Sequence, residues 1–178
     1  MSWTEPRTWH TREVVPDGEL NRHIRDNLKF LKGLVARKTA AESVTSSTAF
    51  QADDQLFLDV LASEVYRFEA LIKYDAAGAG DLKWRFTIPA AAALQGMVVG
   101  LIIGAATPSD DNTRWSDFTV GESQGGMGAG TDAAVYMVGQ YIGGVNGGTI
   151  AFEWAQDASN ATATRVKDGS FLLAHHLV

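Results

Sequence analysis

Two stretches decide the fold: VYRFEALIKY (Val65–Tyr74) and DLKWRFTI (Asp81–Ile88). In the first, Tyr66, Phe68, Ala70, Ile72 and Tyr74 fall on one side of an extended chain. Arg67, Glu69 and Lys73 fall on the other, with Leu71 the apolar exception. In the second, Leu82, Trp84, Phe86 and Ile88 alternate with Asp81, Lys83, Arg85 and Thr87. A period of two over this length marks a half-buried antiparallel strand. The intervening DAAGAG supplies glycines for a turn, which predicts a hairpin. The end of the chain repeats the pattern. Ile150, Phe152 and Trp154 alternate inward after the Asn146-Gly147-Gly148 turn signal, and Phe171, Leu173, His175 and Leu177 share one face of a last strand.

Working outward, Thr48–Ala62 reads as two short strands with Asp53-Asp54 at the turn between them. Leu94–Ile103 reads as a near-continuous apolar strand, buried on both faces or covered by a neighbour. Trp115, Phe118 and Val120 suggest a short strand, Gly121–Gly130 a flexible loop that could make contacts, and Ala133–Val145 a further strand. Ala36–Ser47 is small and polar, as a linker would be. About eight strands at this spacing predict a mainly β protein, an antiparallel β-sandwich of jelly-roll type.

The N-terminal part differs. Residues 1–16 carry Trp3 and Trp9 without a period and read as an extended arm, whose indoles need a surface to dock on. Asp17–Lys32 reads as one α-helix. Pro16-Asp17-Gly18-Glu19 opens it and Gly33 is placed to end it. Leu20, Ile24, Leu28 and Leu31, continued by Val35, form a single apolar stripe on a helix whose sixteen residues make a rod of roughly 24 Å at 1.5 Å per residue. The expected organisation is an arm-and-helix segment, 1–38, that anchors or oligomerises, and a sandwich domain, 39–178.

Charge divides the same way. Residues 1–38 hold eight Lys/Arg against five Asp/Glu, net +3; the remainder hold seven against sixteen, net −9. An acidic body argues against nucleic acid as a partner. The longest apolar run, Met97–Ile103, is too short to span a bilayer, and MSWTEPRTWH lacks the apolar core of a secretory signal, so synthesis in a cytoplasm and no membrane partner are expected. There is no cysteine, which removes disulfides and thiolate metal sites.

No constellation for catalysis stands out. His10, His23, His175 and His176 have no nucleophile elbow beside them. His175 and His176 are neighbours in a strand and point to opposite faces, so they cannot share a metal. Asp53-Asp54 and Asp110-Asp111 lack the spaced oxygen ligands of a calcium loop. The glycine-rich loop lacks the Lys-Ser/Thr of a phosphate-binding loop. No catalytic, cofactor or metal site is expected, although a paired-carboxylate hydrolase needs no fixed spacing and stays open.

The segment Trp-x-x-Arg-Glu-Val-Val (Trp9–Val15) followed by Leu-Asn-Arg-His-Ile-Arg-Asp-Asn-Leu-Lys-Phe-Leu-Lys (Leu20–Lys32) resembles the N-terminal segment of small tailed-bacteriophage virion proteins. In these a Trp-containing arm leads into an LN-x-HIRDN-x-x-x-L helix and then a β-rich body. FEWAQDASNATATRVKDGSFLLAHHLV (Phe152–Val178) is similar to the ending of such proteins. The resemblance implies a non-enzymatic component of a virion, made in the host cytoplasm, with itself and a capsid or tail protein as partners. It also implies packing round a threefold axis, hence a homotrimer. A capsid decoration protein anchored through Trp3, Trp9, Leu20, Ile24, Leu28 and Leu31 is the first reading. The alternative is a tail fibre or minor tail protein that binds a receptor or glycan through exposed Trp115, Tyr136 and Tyr141.

Overall fold

The computed structural model describes residues 4–105, 107 and 109–177. The helix runs where Pro16 and Gly33 bracket it: an α-helical turn Asp17–Leu20, a π-helical stretch Asn21–Asp26, and an α-helical Asn27–Lys32. Gly33, at φ +69°, ends it in a conformation that side chains avoid.

Twelve strands follow among the described residues: β1 (Leu34–Arg37), β2 (Glu42–Val44), β3 (Gln51–Val60), β4 (Val65–Asp75), β5 (Leu82–Thr87), β6 (Ala93–Leu101), β7 (Asp111–Asp117), β8 (Glu122–Gln124), β9 (Asp132–Ile142), β10 (Gly148–Ala155), β11 (Thr164–Val166) and β12 (Phe171–His176). They form two antiparallel sheets. The larger has the order β1-β12-β4-β9-β6-β7, with β11 also paired to β4 and β2 to β11; the smaller has the order β3-β10-β5-β8. The eight strands β3 to β10 are a jelly roll. Their pairings nest as β6 with β7, β5 with β8, β4 with β9 and β3 with β10, which is one long hairpin rolled into two sheets. The short strands β1, β2, β11 and β12 join the larger sheet and bring the total to twelve, against the eight or so expected.

The inward rows are those that the period of two predicts. Tyr66, Phe68, Ala70, Ile72 and Tyr74 of β4 and Leu82, Trp84 and Phe86 of β5 are all buried. The predicted hairpin between them does not form: β4 and β5 lie in different sheets. Placed across the sandwich, their aromatic rows meet face to face instead of lying side by side. Phe68 packs edge-on against Phe86 with ring centroids 5.2 Å apart, and Trp84 against Phe118 at 5.9 Å.

Other local readings are corrected. Thr48–Ala62 holds one strand, not two. At Asp53-Asp54 β3 bulges, its pairing with β10 jumping from Phe57 opposite Ala151 to Ala52 opposite Glu153. Asp53 Oδ1 accepts the N–H groups of Gln55 and Leu56, both at 3.0 Å, which stabilises the bulge. The supposed linker 36–47 is part of the body, with the end of β1, the buried Lys38 and β2 within it. The boundary between arm and body therefore falls at Gly33 rather than at residue 38.

The glycine-rich loop is not a free tip. Gly126 N–H donates to Asp81 Oδ1 at 2.7 Å, Tyr74 hydroxyl donates to the Gly125 carbonyl at 2.8 Å, and a Cβ on Gly125 would lie 2.0 Å from the Ile102 carbonyl oxygen. Strand β6 buries one face only: Leu94 and Val98 point inward while Met97 is exposed.

Candidate functional site

The helix rests on the body and the arm by a side that apolar patterning does not single out. His23, Asn27 and Phe30 recur at helical spacing. Phe30 stacks on His176 of β12 with centroids 4.2 Å apart. Asn27 is buried and works as a clasp: its Oδ1 accepts Thr4 N–H at 3.0 Å and its Nδ2 donates to the Thr4 carbonyl at 2.7 Å. That bidentate pairing mimics a strand partner and holds the arm along the helix. Trp9 meets His23 edge-on at 5.9 Å, with the Arg7 guanidinium 4.8 Å over the indole. Arg7 also pairs with Glu13, and its other terminal nitrogen lies 3.6 Å from Glu19.

Because those residues face inward, the leucine stripe faces solvent. Leu28 is 62% and Leu31 61% exposed, and Leu20 and Ile24 are also exposed. Val35, the expected continuation, lies beyond Gly33 in β1 and is likewise exposed. Of the two tryptophans expected to anchor the chain, Trp9 docks on its own helix and stays 38% exposed; Trp3 lies outside the described residues. Fully burying a Leu or Ile is worth about 1.5–3 kcal/mol. Four side chains roughly half exposed leave about 3–6 kcal/mol per chain unrealised. The 23/27/30 spacing was present in the sequence, but a polar-aromatic row carries no hydrophobic signal.

A cavity of about 180 Å³ lies at the foot of the helix, lined by Phe30, Leu34, Leu61, Tyr66 and His176 among others. Burial pushes the His176 imidazole below its usual pKa, against the pull of Glu64 Oε2 at 3.4 Å. The unfolded chain therefore takes up a proton at higher pH than folded His176 does. The stability this group contributes is present above the ordinary histidine range and is lost as pH falls through it. Acidification from about pH 7.5 to about pH 5 is expected to lower the protection factors of the amides in residues 17–32, taken relative to the intrinsic exchange rate at each pH, while β4 and β9 stay protected. Hydrogen exchange read by mass spectrometry checks this, and a His176→Gln chain whose helix exchange keeps the same pH dependence would contradict it.

The three aromatics considered for recognition separate. Trp115, on the outer face of β7 opposite Met97, is 69% exposed. Tyr136 lies on the same outer face, donates its hydroxyl to Glu69 at 2.8 Å, and lines a cavity of about 340 Å³ with Val99, Leu101 and Met127. Tyr141 is fully buried and leaves the set. Positions 136 and 141 differ by an odd number, so the strand period sends them to opposite faces. Asp132 also lines this cavity, but its hydrogen bond from Lys167 at 2.7 Å holds its carboxyl below the usual range.

One more cluster brings chemistry together. Lys38 Nζ lies 2.6 Å from Asp54 Oδ1, 2.8 Å from Asp53 Oδ2 and 3.2 Å from Glu42 Oε2. The three carboxylates are close enough to share a cation, and the cation they share is this ammonium. Burial works to lower the Lys38 pKa, but the hydrogen bonds to Asp53 and Asp54 outweigh it and hold it raised. Among the described residues, no helix is long and apolar enough to cross a membrane.

The chain matches no family profile and no curated protein. Among solved structures, a chain described as "Structure of infectious bursal disease virus Gt strain" is similar at 12% identity and a TM-score of 0.16. That match covers 80% of this chain and only 40% of the viral one, and it is too weak to carry an argument.

Proposed function

We propose that this chain is a non-enzymatic structural component of a tailed-phage virion, a capsid decoration protein that attaches and trimerises through its N-terminal arm and helix. The carrying observation is the stripe Leu20, Ile24, Leu28 and Leu31, left facing solvent on a helix whose other side is already docked. Exposed apolar rows of this kind mark surfaces made for another polypeptide. The resemblance of Trp9–Lys32 to phage virion proteins supplies the setting, and the opposite net charges of arm segment and body favour contacts between copies. The jelly roll is compatible with this role but serves many others.

Labelling this chain in electron micrographs of the native particle tests the proposal. Label over the capsid is the expected result; particles without label contradict it. Label on the tail favours the alternative, a receptor- or glycan-binding tail protein. That reading draws on Trp115, whose exposed indole, on the same outer sheet face as Tyr136, suits stacking on a sugar ring. On the alternative, glycan-array binding falls at least tenfold in Trp115→Ala; an array on which wild type binds nothing removes it.

A further inference from the structure

We infer that Lys38 and Asp53 form an intramolecular amide, with Glu42 as the acid–base group that moves the protons. The side chains of Lys38 and Asp53 are both fully buried, an expensive place for an ion pair. Nζ lies 2.8 Å from Asp53 Oδ2, so the nucleophile is in contact with the carboxyl group it would attack. The other carboxyl oxygen, Oδ1, is held by the Gln55 and Leu56 N–H groups, each at 3.0 Å. Two backbone donors on one oxygen are what stabilises the charge of a tetrahedral intermediate. Glu42 Oε2 lies 3.2 Å from Nζ, within reach of the protons that must move, and burial raises the Glu42 pKa above the usual carboxylate value despite the opposing hydrogen bond from Lys38.

The step balances without any reagent from outside. Glu42 carries one proton from Nζ to Asp53 Oδ2, and the neutral amine then bonds to Cγ; negative charge collects on Oδ1 between the two N–H groups. The Cγ–Oδ2 bond then breaks. Oδ2 departs as water with two protons that began on the ammonium, relayed by Glu42. One ammonium and one carboxylate become one amide and one water, and nothing is oxidised or reduced. Of the three carboxylates only Asp53 fits as the partner. Asp54 is largely exposed, and Glu42 Oε1 is engaged by Gln51 Nε2 at 2.6 Å. The amide would bolt the chain just after β1 to the bulge of β3, close to where the arm enters the body. Tension on the arm would then reach the sandwich through a covalent bond as well as through the four residue pairs of β1 with β12.

Intact-mass spectrometry of the folded full chain, followed by peptide mapping, tests this. The expected result is a chain one water lighter than its sequence and a branched peptide joining Lys38 to Asp53. Asp17-Gly18 and Asp168-Gly169 can also lose water by cyclising, but hydroxylamine opens those imides and leaves an amide intact. In Glu42→Gln the branched peptide is expected to fall below a tenth of its wild-type yield. A wild-type map that returns Lys38 and Asp53 in separate linear peptides overturns the inference and needs no variant to fold. Undiminished cross-linking in Glu42→Gln overturns the role given to Glu42.

Discussion

Trp84→Ala is expected to lower unfolding stability by about 3–5 kcal/mol, as removal of large buried aromatics does. Trp84 is fully buried at the centre of the sandwich, opposite Trp154 in the smaller sheet, with Phe86 and Phe118 edge-on to its indole at 6.1 and 5.9 Å. Removing it leaves a cavity walled by strands of both sheets, which cannot close without shifting a ladder. In a domain of this size the loss corresponds to roughly 6–20 °C in Tm. Its Nε1–H has no hydrogen-bond partner among the described residues, so Trp84→Phe should cost distinctly less than the change in volume alone implies. Calorimetry of both variants checks the pair. A Tm within about 2 °C of wild type for Trp84→Ala would mean that the core is not where β4 and β5 place it.

Ile24→Asp is expected to do the reverse: leave the fold and abolish assembly. Ile24 is 48% exposed on the face turned away from His23, Asn27 and Phe30, so the isolated chain loses little by the change. Set against a second apolar stripe, the same carboxylate would be buried without a partner, at a cost of several kcal/mol for each copy. Every 1.4 kcal/mol weakens association about tenfold, so the assembly should fall apart at micromolar concentration. The readouts are Tm, expected within about 2 °C of wild type, and sedimentation, expected to show only the single chain. Unfolding of the whole chain by Ile24→Asp would show that the stripe is core after all.

The inward rows of β4, β5 and β10 were legible because alternation is local; in β12 the buried row is Leu172 and Ala174, not the bulkier Phe171, Leu173, His175 and Leu177. The partners of those strands were not legible, because each pairing in the rolled hairpin except β6 with β7 joins strands distant in sequence, and a glycine-bearing link looks the same whether it folds a strand back or carries it across a sandwich. The helix was legible at both ends from Pro16 and Gly33. Which of its rows would dock was not. The leucine row outscores the 23/27/30 row in hydrophobicity, while the structure sets Asn27 against the arm backbone and Phe30 against His176. Asp53 read as a turn residue since its partner, Lys38, is fifteen positions away and the bulge that presents it has no pattern of its own. Tyr141 could have been excluded from the sequence by counting its distance from Tyr136.

The claim that the helix stripe is built to grip another copy is tested most directly by light scattering on the intact chain at micromolar concentration in solution. A molar mass three times the 19.1 kDa of one chain is the predicted result; a mass of one chain, unchanged as concentration rises, would contradict it.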